Sequence, residues 1–184
     1  MQHPLVLVLL DCMGGRQYPA QPMSDDKINL IDFRRALSCF ATGVAVVTAL
    51  DADGKKVGIT VDSFNSVSLN PPLVLWSIGE DSMSYGVFTT AEHFAVNVLA
   101  MHQDGLSAKF ANRGGDKFAD LDCRDGIAGV PVLPEYAACF ECRTENIFDG
   151  GDHKIIVGRV LNFDDTEAKP LILYRGRFLG KSEP

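Results

Sequence analysis

The sequence predicts a mainly β protein, an antiparallel barrel or sandwich with peripheral helices. Three observations carry this reading. Short β-branched and apolar runs recur from residue 44 to residue 174. Most of them are joined by turns rather than by long connections. Long helices are too few for βαβ repeats, which a parallel sheet would need.

The elements follow in chain order. Leu30, Phe33, Leu37 and Phe40 fall on one stripe at helical spacing, with Arg34 and Arg35 off it. Asn29 is the expected N-cap, Asp32 suits the positive end of the helix dipole, and Thr42-Gly43 ends the helix. Residues 44–50 form a β-branched run, Asp53-Gly54 is a hairpin signal, and 56–61 return. Residues 73–78 make another apolar run, introduced by Pro71-Pro72. Within 94–99, Phe94, Val96 and Val98 alternate with Ala95, Asn97 and Leu99. Two long strands, 136–148 and 153–163, meet at Asp149-Gly150-Gly151, and 171–174 give a last short strand. Residues 82–88 and 103–111 are expected as short helices.

The 184 residues suit one domain, and 46% apolar with 22% charged side chains is the balance of an ordinary globular chain. Seventeen Lys and Arg against 24 Asp and Glu give a net charge of -7, which disfavours nucleic acid and anionic membranes as partners. Five scattered cysteines without framework spacing point to reduced thiols and a cytoplasmic location. The apolar run 4–10 is far below the ~20 residues that span a bilayer, and no Lys or Arg precedes it. Residues 1–22 are expected to be an extension outside the fold, with Met23 reading as a natural start and 23–184 as the domain. An extra edge strand or a swapped arm is the alternative for 1–22.

Several motifs fail on geometry. Cys139 and Cys142 have CxxC spacing but lie within an expected strand, where residues three apart face opposite ways. Gly176, Gly180, Lys181 and Ser182 miss the P-loop spacing by one residue and open no helix. No G-x-G-x-x-G, H-E-x-x-H or G-x-S-x-G occurs, so Rossmann, zinc-hydrolase and serine-nucleophile readings lack support.

Three segments carry the candidate chemistry. Residues 58–72 are dense in hydroxyls: Thr60, Ser63, Ser66 and Ser68, with amides at the strand end, suit a phosphate. Val61, Phe64 and Val67 interleave apolar surface for a flat ring. Such a stretch also suits a loop that merely satisfies its own backbone. Residues 105–113 add Ser107, Lys109, Phe110 and Arg113 near a helix end; the cations are candidates for a phosphate, or ordinary surface charges. Gly150-Gly151-Asp152 then sets His153 at the rim of a turn, where a lone histidine is also commonly structural.

In this order the segments resemble the short-chain flavin reductase family, whose members serve as reductase components of two-component flavin monooxygenases. The matching stretches are Phe33-Arg34-Arg35-Ala36-Leu37 to Ala41-Thr42-Gly43-Val44, then 58–75 and 94–99. Leu106-Ser107 with Phe110-Ala111, Gly151-Asp152-His153 and Pro170-Leu171-Ile172-Leu173-Tyr174 complete them. They span roughly residues 30–180.

The resemblance implies a homodimer of six-stranded antiparallel Greek-key split barrels with flavin near the subunit interface. It implies FMN or FAD as bound flavin, NADH or NADPH as hydride donor, and a separate monooxygenase as recipient of reduced flavin. By similarity, flavin contacts fall on Thr60, Val61, Asp62, Ser63, Ser66, Val67, Ser68, Ser107, Lys109 and Phe110, and His153 lines the nicotinamide side. Asp62 departs from the Asn, Ser or Ala of many relatives; a carboxylate there suits a ring N–H or a ribityl hydroxyl better than a phosphate. A flavin-binding electron carrier that keeps its flavin and does not oxidise NAD(P)H is the competing function. A split-barrel oxidase of the pyridoxamine-phosphate type lacks an evident basic substrate pattern.

Overall fold

A computed structural model describes residues 28–180, so the expectations for 1–22 and for Met23 lie outside the described residues. Helix α1, Leu30–Leu37, begins as the sequence requires: Asn29 Oδ1 accepts the amides of Ile31 at 2.9 Å and Asp32 at 3.3 Å. The chain then runs through β1 (Thr42–Gly43), β2 (Ala45–Leu50), β3 (Lys56–Val61), β4 (Asn65–Leu69) and β5 (Pro72–Gly79). Helix α2 (Tyr85–Phe88), β6 (His93–Val98) and α3 (Asp104–Ala111) follow. After β7 (Arg124–Asp125) and β8 (Pro131–Val132) come the two long strands, β9 (Ala138–Asp149) and β10 (His153–Asp165), and the short β11 (Ile172–Tyr174) and β12 (Arg177–Phe178).

Seven strands form one antiparallel sheet in the order β3-β2-β6-β9-β10-β5-β4. Its two end strands, β3 and β4, are separated in the chain only by residues 62–64. So short a link forces the sheet to curl until its ends meet. Those ends are not paired with each other, which leaves a barrel with an open seam. A smaller sheet, β1-β11-β12, lies to one side.

The inward face carries Val47, Trp76, Ile78, Phe94, Val96 and Ile156, closed by Phe88 of α2. Trp76 meets Phe88 edge-on, with ring centroids 5.0 Å apart. Val44 and Val46 of the other face pack with Leu99, Phe110, Leu133 and Leu171. Both faces of β2 are therefore covered, which explains why its run is apolar apart from the buried Thr48. Cys142 faces the barrel interior and Cys139 the opposite side, as strand geometry demands; burial pushes both thiols up to about 12.

Buried polar groups fasten the loop 124–133 to the barrel. Asn97 donates to Val46 O at 3.1 Å and accepts from Leu133 N at 3.0 Å, while the Thr48 hydroxyl donates to Pro131 O at 2.5 Å. Glu141 takes the Ile127 amide at 2.6 Å, Arg124 at 2.9 Å and Asn162 at 3.2 Å. Burial alone would raise its pKa, but those donors outweigh it and lower it.

The hydroxyl-rich stretch differs from its sequence reading. Residues 65–69 are not a turn but β4, paired with β5 from Asn65↔Leu75 to Leu69↔Pro72. Helix α2 is also shorter than expected, because 82–84 form a turn in which the Ser84 amide binds the Ser82 hydroxyl at 3.2 Å. Helix α1 buries none of its own residues; Leu30, Phe33, Leu37 and Phe40 are all exposed in the single chain.

Candidate functional site

A cleft of about 590 Å³ opens between β3, the end of β5 with the turn to α2, and the end of α3 with its following loop. Val57, Ile59, Met83 and Val87 give it apolar wall. His153 reaches its rim because β10 pairs with β5 so that His153 faces Gly79. A Cβ on Gly79 would lie 3.4 Å from His153 Nε2 and 3.0 Å from Asp81 Oδ1, so glycine keeps that corner open. His153 Nδ1 is 2.6 Å from Asp152 Oδ1; this hydrogen bond holds the Asp152 carboxyl below its usual range.

The floor depends on Gly58. A Cβ there would stand 2.5 Å from the Phe110 ring, so only glycine lets α3 lie this close on β3. Phe110 is fully buried and meets Phe118 edge-on, at 5.1 Å between centroids. Lys117 then closes the loop, donating to Phe110 O at 2.8 Å and to Gly58 O at 3.3 Å, and burial lowers its pKa.

Charge collects here against the trend of the chain. Lys55, Lys56, Arg113 and Lys117 line the cleft with Asp51, Asp81 and Asp116. Asp51 accepts the amides of Asp53 at 3.0 Å and Lys55 at 2.8 Å, and Asp116 that of Phe118 at 3.0 Å. Asp81 instead meets Arg113 across the cleft, at 3.3 Å. Sequence reading singled out neither Lys117 nor Asp81. The Asp116-Lys117-Phe118 turn was a local signal for the former; nothing local points to the latter.

The expected site residues fall into separate groups. Thr60 and Ser107 come together, the threonine hydroxyl donating to the Ser107 carbonyl at 2.7 Å. The Ser63 hydroxyl accepts the Ser77 amide at 2.9 Å and donates to the Ser77 carbonyl at 3.2 Å, so it laces the link 62–64 to β5. Val61 turns into the core. Lys109 is paired with Asp120. Ser66, Val67 and Ser68 run along the outer strand β4, where Ser68 Oγ accepts the Asn70 amide at 3.2 Å. Asp62 lies elsewhere, in a second cavity of about 660 Å³ with Arg34, Leu37, Phe40, Leu173 and Arg175. Residues 60–68 thus run from the end of β3 through the link 62–64 into β4, while His153 and Phe110 line the cleft.

The profile of the flavin reductase like domain family matches residues 37–182. An FMN reductase (NADH) of Agrobacterium fabrum is 49% identical over 150 residues, which cover 82% of this chain and 85% of that protein. A reductase subunit of a flavin-dependent monooxygenase from Rhodococcus jostii is 40% identical over 149 residues, covering 80% of this chain and 76% of that protein. A solved NADH:FAD oxidoreductase of Streptomyces globisporus, in complex with NAD and FAD fragments, superposes with a TM-score of 0.79 at 33% identity, covering 88% of this chain and 98% of that one. Other relatives are longer: the chain spans 47% of a probable flavin reductase of Rhizobium meliloti. The seamed antiparallel barrel and the sequence match across nearly all its strands agree, and the chain belongs to the flavin reductase like domain family.

Proposed function

We propose that the protein is an NAD(P)H-dependent flavin reductase that moves a hydride from NADH or NADPH to FMN or FAD and supplies reduced flavin to a separate monooxygenase. The observation that carries this is the cleft itself, where apolar wall, a rim histidine and a cluster of cations adjoin. Such a lining fits a flat ring system with an anionic tail. The flavin and nicotinamide supply the redox chemistry, the hydride passing from nicotinamide C4 to flavin N5.

The protein's part is binding and alignment. Ile59 and Val87 offer apolar surface against which rings stack, while the Thr60–Ser107 hydrogen bond fixes α3 against β3 beside the cleft. His153, steadied by Asp152, orients the nicotinamide at the rim. Holding two rings in contact supplies much of the rate by proximity. Lys117, tied to two carbonyls without a carboxylate partner in the cleft, adds positive potential where the reduced product is anionic.

Exposed apolar side chains in and after α1 support a homodimer. Leu30, Phe33 and Leu37 of α1, Phe40 after it, Phe163 of β10 and Leu69 of the outer strand β4 are all exposed in the single chain, and large exposed apolar side chains gathered on one surface mark an interaction site. We assign the protein to the cytoplasm on its free thiols, Cys39, Cys123, Cys139 and Cys142. No helix among the described residues is long and apolar enough to cross a membrane.

The test is anaerobic mixing of purified protein with FMN or FAD and NADH or NADPH. Bleaching of the flavin absorbance is expected, with flavin lost on a desalting column. Flavin retained without nicotinamide oxidation would overturn the reductase reading in favour of an electron carrier.

A further inference from the structure

The pair Arg113–Asp81 is built unlike the structural ion pairs of this fold. Arg159 grips Glu145 with two hydrogen bonds, at 2.6 and 3.0 Å, from half-buried positions. Arg113 reaches Asp81 by a single contact at 3.3 Å, with the two side chains 74% and 86% exposed. A one-point pair in water contributes little to stability. Its position gives it another use, for it spans the cleft from the loop after α3 to the turn after β5.

Arg113 also lies outside the rigid frame of α3. Helix α3 has ended before it, with Asn112 already extended, and Gly114 and Gly115 behind it both adopt positive φ, 83° and 76°. Asp51 and Asp116, the other carboxylates of the lining, are held by backbone amides. The cleft thus offers four cations while only Asp81 bridges to one of them. A phosphate presents the planar guanidinium with two acceptors at once, which a single carboxylate oxygen at 3.3 Å does not.

We infer that Arg113 is the receptor for a phosphate group of the incoming nucleotide, and that Asp81 holds its place until that phosphate takes over. This rests on the flavin reductase reading, under which the phosphate belongs either to the flavin tail or to the 2′ position of NADPH. Arg113 is then a specificity-determining residue, selecting phosphorylated ligands over their dephosphorylated counterparts, and Asp81 is its competitor.

Fluorescence-quenching titrations with FMN and riboflavin, and KM values for NADPH and NADH, decide the matter in the wild type, Arg113→Gln, Arg113→Lys and Asp81→Asn. Arg113→Gln is expected to lower the preference for the phosphorylated member of one pair by about tenfold, with partial recovery in Arg113→Lys. Asp81→Asn is expected to raise that same preference, an opposite sign that a merely structural pair would not give. A shift in FMN over riboflavin assigns the flavin phosphate; a shift in NADPH over NADH assigns the 2′-phosphate. Preferences unmoved in Arg113→Gln, or lowered alike by both neutralising variants, overturn the inference. Wild-type protein that oxidises neither nicotinamide with any flavin sinks the reductase reading instead, and the quenching titrations still judge Arg113.

Discussion

Thr60 and Ser107 are joined by a 2.7 Å hydrogen bond, the hydroxyl at the end of β3 donating to a carbonyl inside α3. One bond thereby sets the distance between the two segments that line the approach to the cleft. Thr60→Val keeps the shape and removes the donor. It is expected to lower stability by about 1 kcal/mol and to weaken flavin binding by a similar amount. Denaturant unfolding and a flavin titration check both; unchanged values in the variant would separate this bond from the site.

His153 stands at the rim, opposite Gly79 on the neighbouring strand. His153→Ala is expected to raise the nicotinamide KM or lower kcat, while flavin affinity barely changes. Steady-state kinetics with varied NADH, alongside FMN quenching, reads the split. Wild-type nicotinamide kinetics would remove His153 from the reaction.

Gly58 admits the Phe110 ring where a Cβ would stand 2.5 Å away. Gly58→Ala must push α3 outward, and overpacking of this kind costs about 1–3 kcal/mol. Thermal denaturation should show the loss. A variant as stable as the parent would mean that the helix shifts freely on the strand.

Glu145 titrates at about 2 rather than near 4.5, chiefly because Arg159 hydrogen-bonds it, with Arg143 adding to the effect. A carboxyl with its folded pKa depressed contributes stability that is whole above pH 4.5 and is lost as pH falls toward 2. Comparing Glu145→Gln with the parent across that window should therefore show a shallower acid slope in the variant. The pair is only half-buried and partly screened by solvent, so the difference is small and shrinks with added salt. Parallel slopes would mean that the pair is absent in solution.

Much of the barrel was written locally. The hairpin at Asp53-Gly54 and the β-branched run after it set β3 at Lys56–Val61, and Asn29 marked the start of α1. β4 was hidden because it is a short outer strand: its alternation, Ser66-Val67-Ser68-Leu69, covers only four residues, and Val67 and Leu69 face solvent in the single chain, so the same residues read as a polar loop. The stripe on α1 was legible from Leu30 to Leu37, but the helix stops there, short of Phe40 and of the expected end at Thr42-Gly43, which form β1 instead; nor does an amphipathic pattern say whether a helix packs on its own chain. In the site, residue types were legible and assembly was not. Gly79 meets His153 through strand register, and Arg113 meets Asp81 at a sequence separation of 32, across α2, β6 and α3. Both depend on long-range pairing that no window of sequence contains.

The seam between β3 and β4 has a consequence for traffic. Since no ladder spans it, the barrel wall can part there without breaking a rung of the sheet, at the cost only of the two Ser63–Ser77 hydrogen bonds that lace residues 62–64 to β5. Loading and unloading a guest then needs no unzipping, which suits a courier better than a vault.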